Sequence, residues 1–158
     1  MVARSVRSVS VPAKYRNMRN QVACASEDID HARTHWADHC ATCHANNGNG
    51  DTMLGKLMYP RPPDMRAEST QKQSDGELYY VIKNGVRLTG MPAFGEPGDN
   101  DTGSWQLVCF IRHLPGMTSE EEIAMRALNP KTAQDLEEER QEQEFLNGAS
   151  PAAEHAHH

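Results

Sequence analysis

The sequence predicts an all-α chain. Apolar residues recur at three- and four-residue steps in separate segments, most of them bracketed by helix start or stop signals, and no strand-and-crossover pattern is present. A hydrophobic content of 37 % with few aromatics over 158 residues suits one domain with a modest core and extended ends.

Residues 1–25 carry five basic side chains and no acid, so they form a basic N-terminal extension or a strap over the domain. Ser26 can cap a first helix whose apolar positions Ile29, Ala32, Trp36 and Cys40 share one face. Three prolines within residues 60–63 forbid a regular helix there and predict a loop. "SDGELYYVIKNG" opens with a capping box, Ser74 with Glu77, and stops at Gly85, a candidate for the left-handed residue after a helix. The third helix carries a broad stripe of Trp105, Val108, Cys109, Ile111 and Leu114, ends before Pro115 and is the expected packing partner of the first.

Beyond residue 117 the character changes. Residues 118–158 carry ten acids against three bases, within a chain of net charge −6. Thr118 and Glu121 can form another capping box, and a further helix restarts after Pro130 and stops near Gly148. Charge runs of this kind are usually solvated faces; the alternative is a docking surface for a basic partner, because a one-signed field speeds encounter. No apolar run approaches the roughly 20 residues that span a bilayer, so no transmembrane segment is expected.

The chemistry is concentrated in "HCATCHANNGNGDT", residues 39–52. A structural zinc site would need a second pair of ligands, and the other cysteines, Cys24 and Cys109, stand alone and far apart. A dithiol redox motif would need a helix start beside a parallel strand, which the chain lacks. C-x-x-C-H reads instead as covalent haem attachment: Cys40 and Cys43 add to the two vinyl groups, and His44 reaches the iron. That reading demands a sixth ligand from later in the chain. "LTGMPAFGEP" places Met91 between Gly90, which permits close backbone approach, and Pro92, which fixes the chain direction. Met53, Met58 and Met65 are its rivals, each with a gap-filling role as the plainer reading.

These residues resemble the class I monohaem c-type cytochromes, in particular the bacterial type with an "MPAFG" ligand loop. The resemblance covers residues 26–117. It implies a class I cytochrome c fold around one covalent haem c, with His44 and Met91 as axial ligands of the iron and the first helix packed across the last. It leaves residues 1–25 as a basic extension or strap and 118–158 as an acidic helical extension. Two departures stand out: Ala45 follows the motif histidine, and Ala32 stands at the expected helix crossing, both where the family usually has glycine.

The function expected is electron transfer through iron with no open site, carried out with redox partner proteins and without nucleic acid. The chain is then a carrier rather than an enzyme, or else the haem subunit of a larger redox complex. Haem attachment places it in the periplasm or another extracytoplasmic compartment. The head lacks the apolar h-region of a secretory signal, so an export signal is expected to have been removed or replaced. Its arginines and serines also fit a mitochondrial presequence, which would place the protein in the intermembrane space.

The remaining histidines and cysteines carry lesser expectations. His31, His35 and His39 step by four along the first helix and read as boundary residues rather than metal ligands. His155, His157 and His158 form a terminal tract that could bind copper, nickel or zinc loosely, which is the basis of a metal-handling alternative. His113 has no evident role. Cys109 is expected to be a buried free thiol and Cys24 an accessible one, without a bond between them.

Overall fold

The structure is a computed structural model that describes residues 11–98 and 101–147. Among these residues it is helical and contains no strand. The terminal histidines, His155, His157 and His158, lie outside the described residues, as does the beginning of the basic head.

In chain order the elements are α1 (Ala13–Arg16), α2 (Ser26–His35), a π-helical turn (Trp36–Cys40), α3 (Ala41–His44), α4 (Met53–Leu57), α5 (Glu68–Gln71), α6 (Asp75–Asn84), α7 (Thr102–His113), a 3₁₀ turn (Leu114–Gly116), α8 (Ser119–Arg126) and α9 (Ala133–Leu146). The expected crossing of the first and last helices is present. α2 packs across α7, with the Gln106 amide donating to the Asp28 carboxylate at 3.1 Å. Ala32, one turn beyond Asp28 on α2, is 1 % exposed, so its methyl group is accommodated at this tightly packed face.

The start of α2 differs from expectation in one position. Ala25, not Ser26, is the N-cap; its methyl side chain accepts nothing, and only the reciprocal half of a capping box forms, the Asp28 carboxylate accepting from the Ala25 N–H at 3.1 Å. The helix also does not run as one α-helix to Cys40: residues 36–40 widen into a π-helical turn, which rotates Cys40 and the residues after it relative to α2. α6 forms as its capping box predicts, with the Ser74 hydroxyl accepting from the Glu77 N–H and the Glu77 carboxylate accepting from the Ser74 N–H. α7 is capped by Asp101, whose carboxylate accepts from the Ser104 N–H and hydroxyl at 3.0 and 2.7 Å.

The strap expected at the N-terminus is present in its described part. Val11 is buried, and Tyr15, Met18 and Val22 pack against the core. Cys24 and Cys109 are joined in a disulfide, with Cα atoms 5.3 Å apart, which corrects the expectation of two free thiols. The pair is separated by 85 residues in sequence, and only the path of the strap along α7 brings it together. The Asn20 amide follows the same path, donating to the Trp105 carbonyl and to Cys109 Sγ, both at 3.1 Å.

The two acidic helices form where expected but behave differently. In α8 the Thr118–Glu121 capping box is complete, and Met125 is 0 % exposed as part of the central core. Glu121 bonds both Arg33 of α2 and the His113 ring of α7 at 2.9 Å, so His113 has a partner after all. α9 buries nothing and is held by its own pairs, Arg140 with Glu137 and Glu144.

Candidate functional site

The C-x-x-C-H residues occupy the end of the first helical stretch. Cys40 closes the π-helical turn and is buried, Cys43 lies in α3 and is partly exposed, and His44 ends α3 with 6 % exposure. Burial pushes the Cys40 thiol up to about 12, with the neighbouring Cys43 adding to the effect, and burial also raises Cys43. Both therefore stay protonated at neutral pH. Burial lowers His44 to about 4, so its imidazole is neutral and keeps a lone pair for a metal. Its buried Nδ1 has no hydrogen-bond partner among the described residues.

Three contacts fix this histidine. The Trp36 ring lies 5.7 Å from the His44 ring, and the Trp36 indole N–H donates to the Ala45 carbonyl at 3.0 Å. The Gly50 N–H donates to the His44 carbonyl at 2.9 Å, closing the asparagine and glycine loop back on the helix end. Gly50 has φ +73°, and a Cβ there would stand 2.9 Å from the Pro62 carbonyl, so the loop needs glycine for both conformation and space. Thr52 then caps α4 with its hydroxyl oxygen while donating to the Cys43 carbonyl at 3.3 Å, which sets α4 beside α3.

Met91 is partly exposed in a loop anchored on the end of α6. The Val86 N–H donates to the Met91 carbonyl at 3.0 Å, Phe94 to Ile82 at 3.0 Å and Gly95 to Lys83 at 3.2 Å. Gly85 has φ +66°, and a Cβ on it would fall 2.6 to 2.8 Å from Met91, Pro92 and Ala93 backbone atoms. The helix stop is therefore also the seat of the loop. The loop reaches the C-x-x-C-H stretch through Phe94, whose ring lies 6.2 Å from that of His39.

The rival methionines are placed differently. Met65 is a buried core residue, Met53 is exposed, and Met58 lies at the loop, where a Cβ on Gly90 would meet its methyl group at 2.0 Å. Met58 therefore links the segment after α4 to the residue before Met91. Met53, Leu54, Leu57 and Tyr59, together with Leu88 of the Met91 loop, are exposed apolar side chains on segments adjoining the motif and the loop. A buried neutral imidazole with an unpartnered nitrogen, two protonated thiols on the same helical stretch and flanking apolar side chains together fit a flat, apolar, iron-bearing macrocycle.

A separate cleft of about 340 Å³ is lined by Ala37, Ala41, Thr42, Thr52 and Asn129 and includes neither His44 nor the thiols. Among the described residues no three His, Cys, Asp or Glu side chains form a metal-binding group. His35 and His39 stand edge to face at 5.0 Å, and His39 pairs with Asp38 at 3.1 Å. Sequence reasoning missed Trp36 as the neighbour of His44, Thr52 as the link to α4, and Gly85 with Phe94 as the anchors of the loop. Only Gly85 had a local signal, its position after a helix.

A family model described as cytochrome C oxidase, cbb3-type, subunit III, matches residues 27–111. No curated protein matches the chain.

Proposed function

The chain belongs to the cbb3-type cytochrome c oxidase subunit III family, whose cytochrome c domain implies covalent haem c and haem-based electron transfer, and we propose that it carries electrons through one haem held by Cys40, Cys43, His44 and Met91. The observation that carries this reading is His44: buried, neutral, with an unpartnered nitrogen, at the end of the stretch that bears both thiols. When bound, the haem supplies an iron that cycles between ferric and ferrous states. Cys40 and Cys43 would hold the macrocycle edge through thioethers. Trp36 and the Gly50 N–H orient His44, and the tethered loop presents the Met91 thioether, a donor that favours ferrous iron. Were His44 and Met91 both to hold the iron, no position would be left for a substrate, and the domain would act as a carrier rather than a catalyst.

The family's description favours a second form of the same reading, a haem subunit that passes electrons within an oxidase complex. In either form the site lies outside the cytoplasm, the periplasm being the compartment we favour. The Cys24–Cys109 disulfide supports an oxidising environment.

The test is a visible spectrum with a pyridine haemochrome assay on wild type and Met91→Ala. We expect one haem with two thioethers, and in the variant a lower potential with ready binding of carbon monoxide to the ferrous form. If Met91→Ala keeps its potential and Met58→Ala loses it, Met58 is the ligand and the reading of the loop is wrong.

A further inference from the structure

We propose that the Cys24–Cys109 disulfide is a positioning clasp for the Met91 loop, acting through the strap and α6. This rests on Met91 as distal ligand but is read from a different part of the molecule. The described strap contains one short helix, α1, and its two ends are held in different ways. Its C-terminal end is pinned to α7 by the disulfide and by Asn20. Its N-terminal part lies on the start of α6 at Gly76, where a Cβ would stand 1.8 Å from the Tyr15 carbonyl and 2.9 Å from Met18 Cβ. The Tyr15 ring lies 4.9 Å from that of Tyr80 and 6.2 Å from that of Tyr79.

From there the contacts run along α6 to the loop. Tyr79 stacks on Trp105 with ring centres 4.0 Å apart, and its hydroxyl accepts from Lys83 Nζ at 3.3 Å. The carbonyls of Ile82 and Lys83 accept from Phe94 and Gly95, and Gly85 seats Met91, Pro92 and Ala93. α6 is thus held between the strap and α7 at one end and carries the ligand loop at the other. It has ten residues, a rod of about 15 Å that transmits displacement rather than absorbing it. A disulfide acting only as a general staple would have no reason to affect Phe94 and Gly95 more than the rest of the core.

The holoprotein tests this in two variants. Cys24→Ser alters an exposed position and leaves Cys109 in place; Gly76→Ala keeps both cysteines and lifts the strap by the added methyl group. Amide hydrogen exchange at Phe94 and Gly95 is compared with Val108 of α7, and carbon monoxide association with the ferrous haem is measured alongside Met91→Ala. We expect both variants to exchange about tenfold faster at Phe94 and Gly95 than at Val108, relative to wild type, and to admit carbon monoxide about tenfold faster. Equal acceleration at all three amides, unchanged exchange at the loop, or faster loop exchange with unchanged carbon monoxide association overturns the clasp. If Met91→Ala itself admits carbon monoxide no faster than wild type, the ligand assignment fails instead, and loop exchange alone decides the clasp.

Discussion

Ala45 adopts φ 62° and ψ 162°, a region that glycine enters freely and a residue with a Cβ enters at a cost of about 1 to 3 kcal/mol. The strain is held in place by Trp36, which bonds the Ala45 carbonyl, and by the Gly48 N–H, which donates to the same oxygen at 3.2 Å. Ala45→Gly should therefore raise the unfolding free energy by about 1 kcal/mol, strain relief outweighing the extra unfolded-state entropy of glycine. A denaturant titration with unchanged slope checks it, and a lower midpoint would show that the methyl group earns its place. The departure from glycine after the motif histidine was visible in the sequence, but its backbone angles were not. Cys40, Cys43 and His44 were legible because attachment chemistry is local. Trp36 was legible only as an apolar position on a helix face, since its bond to Ala45 depends on the π-helical turn between them.

At the scale of elements, the capping boxes at Ser74 and Thr118 were readable because each is a bond between residues three apart. The docking of α8 was not, because it depends on a single buried methionine within a charged helix and on bonds from Glu121 to Arg33, 88 residues away, and to His113 across the turn after α7. Met125→Ala should cost about 3 kcal/mol by cavity formation, read by thermal or denaturant unfolding. A chain ending at Lys131, which lacks α9 and the residues after it, should stay within about 0.5 kcal/mol of wild type, as α9 has no buried residue. Glu121 adds a pH dependence. The Thr118 backbone bond first, and then the bonds and charges of His113 and Arg33, hold its carboxyl below the ordinary 4.5. Its folded value being the lower one, Glu121 contributes stability above pH 4.5 that is lost as pH falls below that point. Unfolding followed from pH 6 to pH 3 should lose this component in Glu121→Gln, and identical profiles would show that the bonds of Glu121 to Arg33 and His113 add no stability.

Across the whole molecule, the all-helical class followed from periodicity and the crossing of α2 and α7 from the family resemblance, whereas the covalent tie between strap and α7 followed from neither. Nothing local to Cys24 or Cys109 specifies a partner 85 residues away; the strap's course does, and that is set by packing of Tyr15, Met18 and Val22. The charge distribution bears on partners. α9 carries six acids and one base on a fully exposed helix, so electron transfer to a basic partner should slow by about tenfold from low to high ionic strength, with a shallower dependence in the chain ending at Lys131. Stopped-flow rates at several salt concentrations decide it, and equal slopes would leave α9 a solvated helix only.

Trp36 and Trp105 are both buried, and the first lies beside the proposed iron ligand. A porphyrin attached at Cys40 and Cys43 would absorb the light that an excited indole emits, so the holoprotein should be almost dark in the ultraviolet. Emission would return when the chain unfolds and the indoles move away from the tethered dye. Trp36→Phe would leave Trp105 as the only indole, and the two residues together make the intrinsic glow of this protein a ruler for the distance between its core and its pigment.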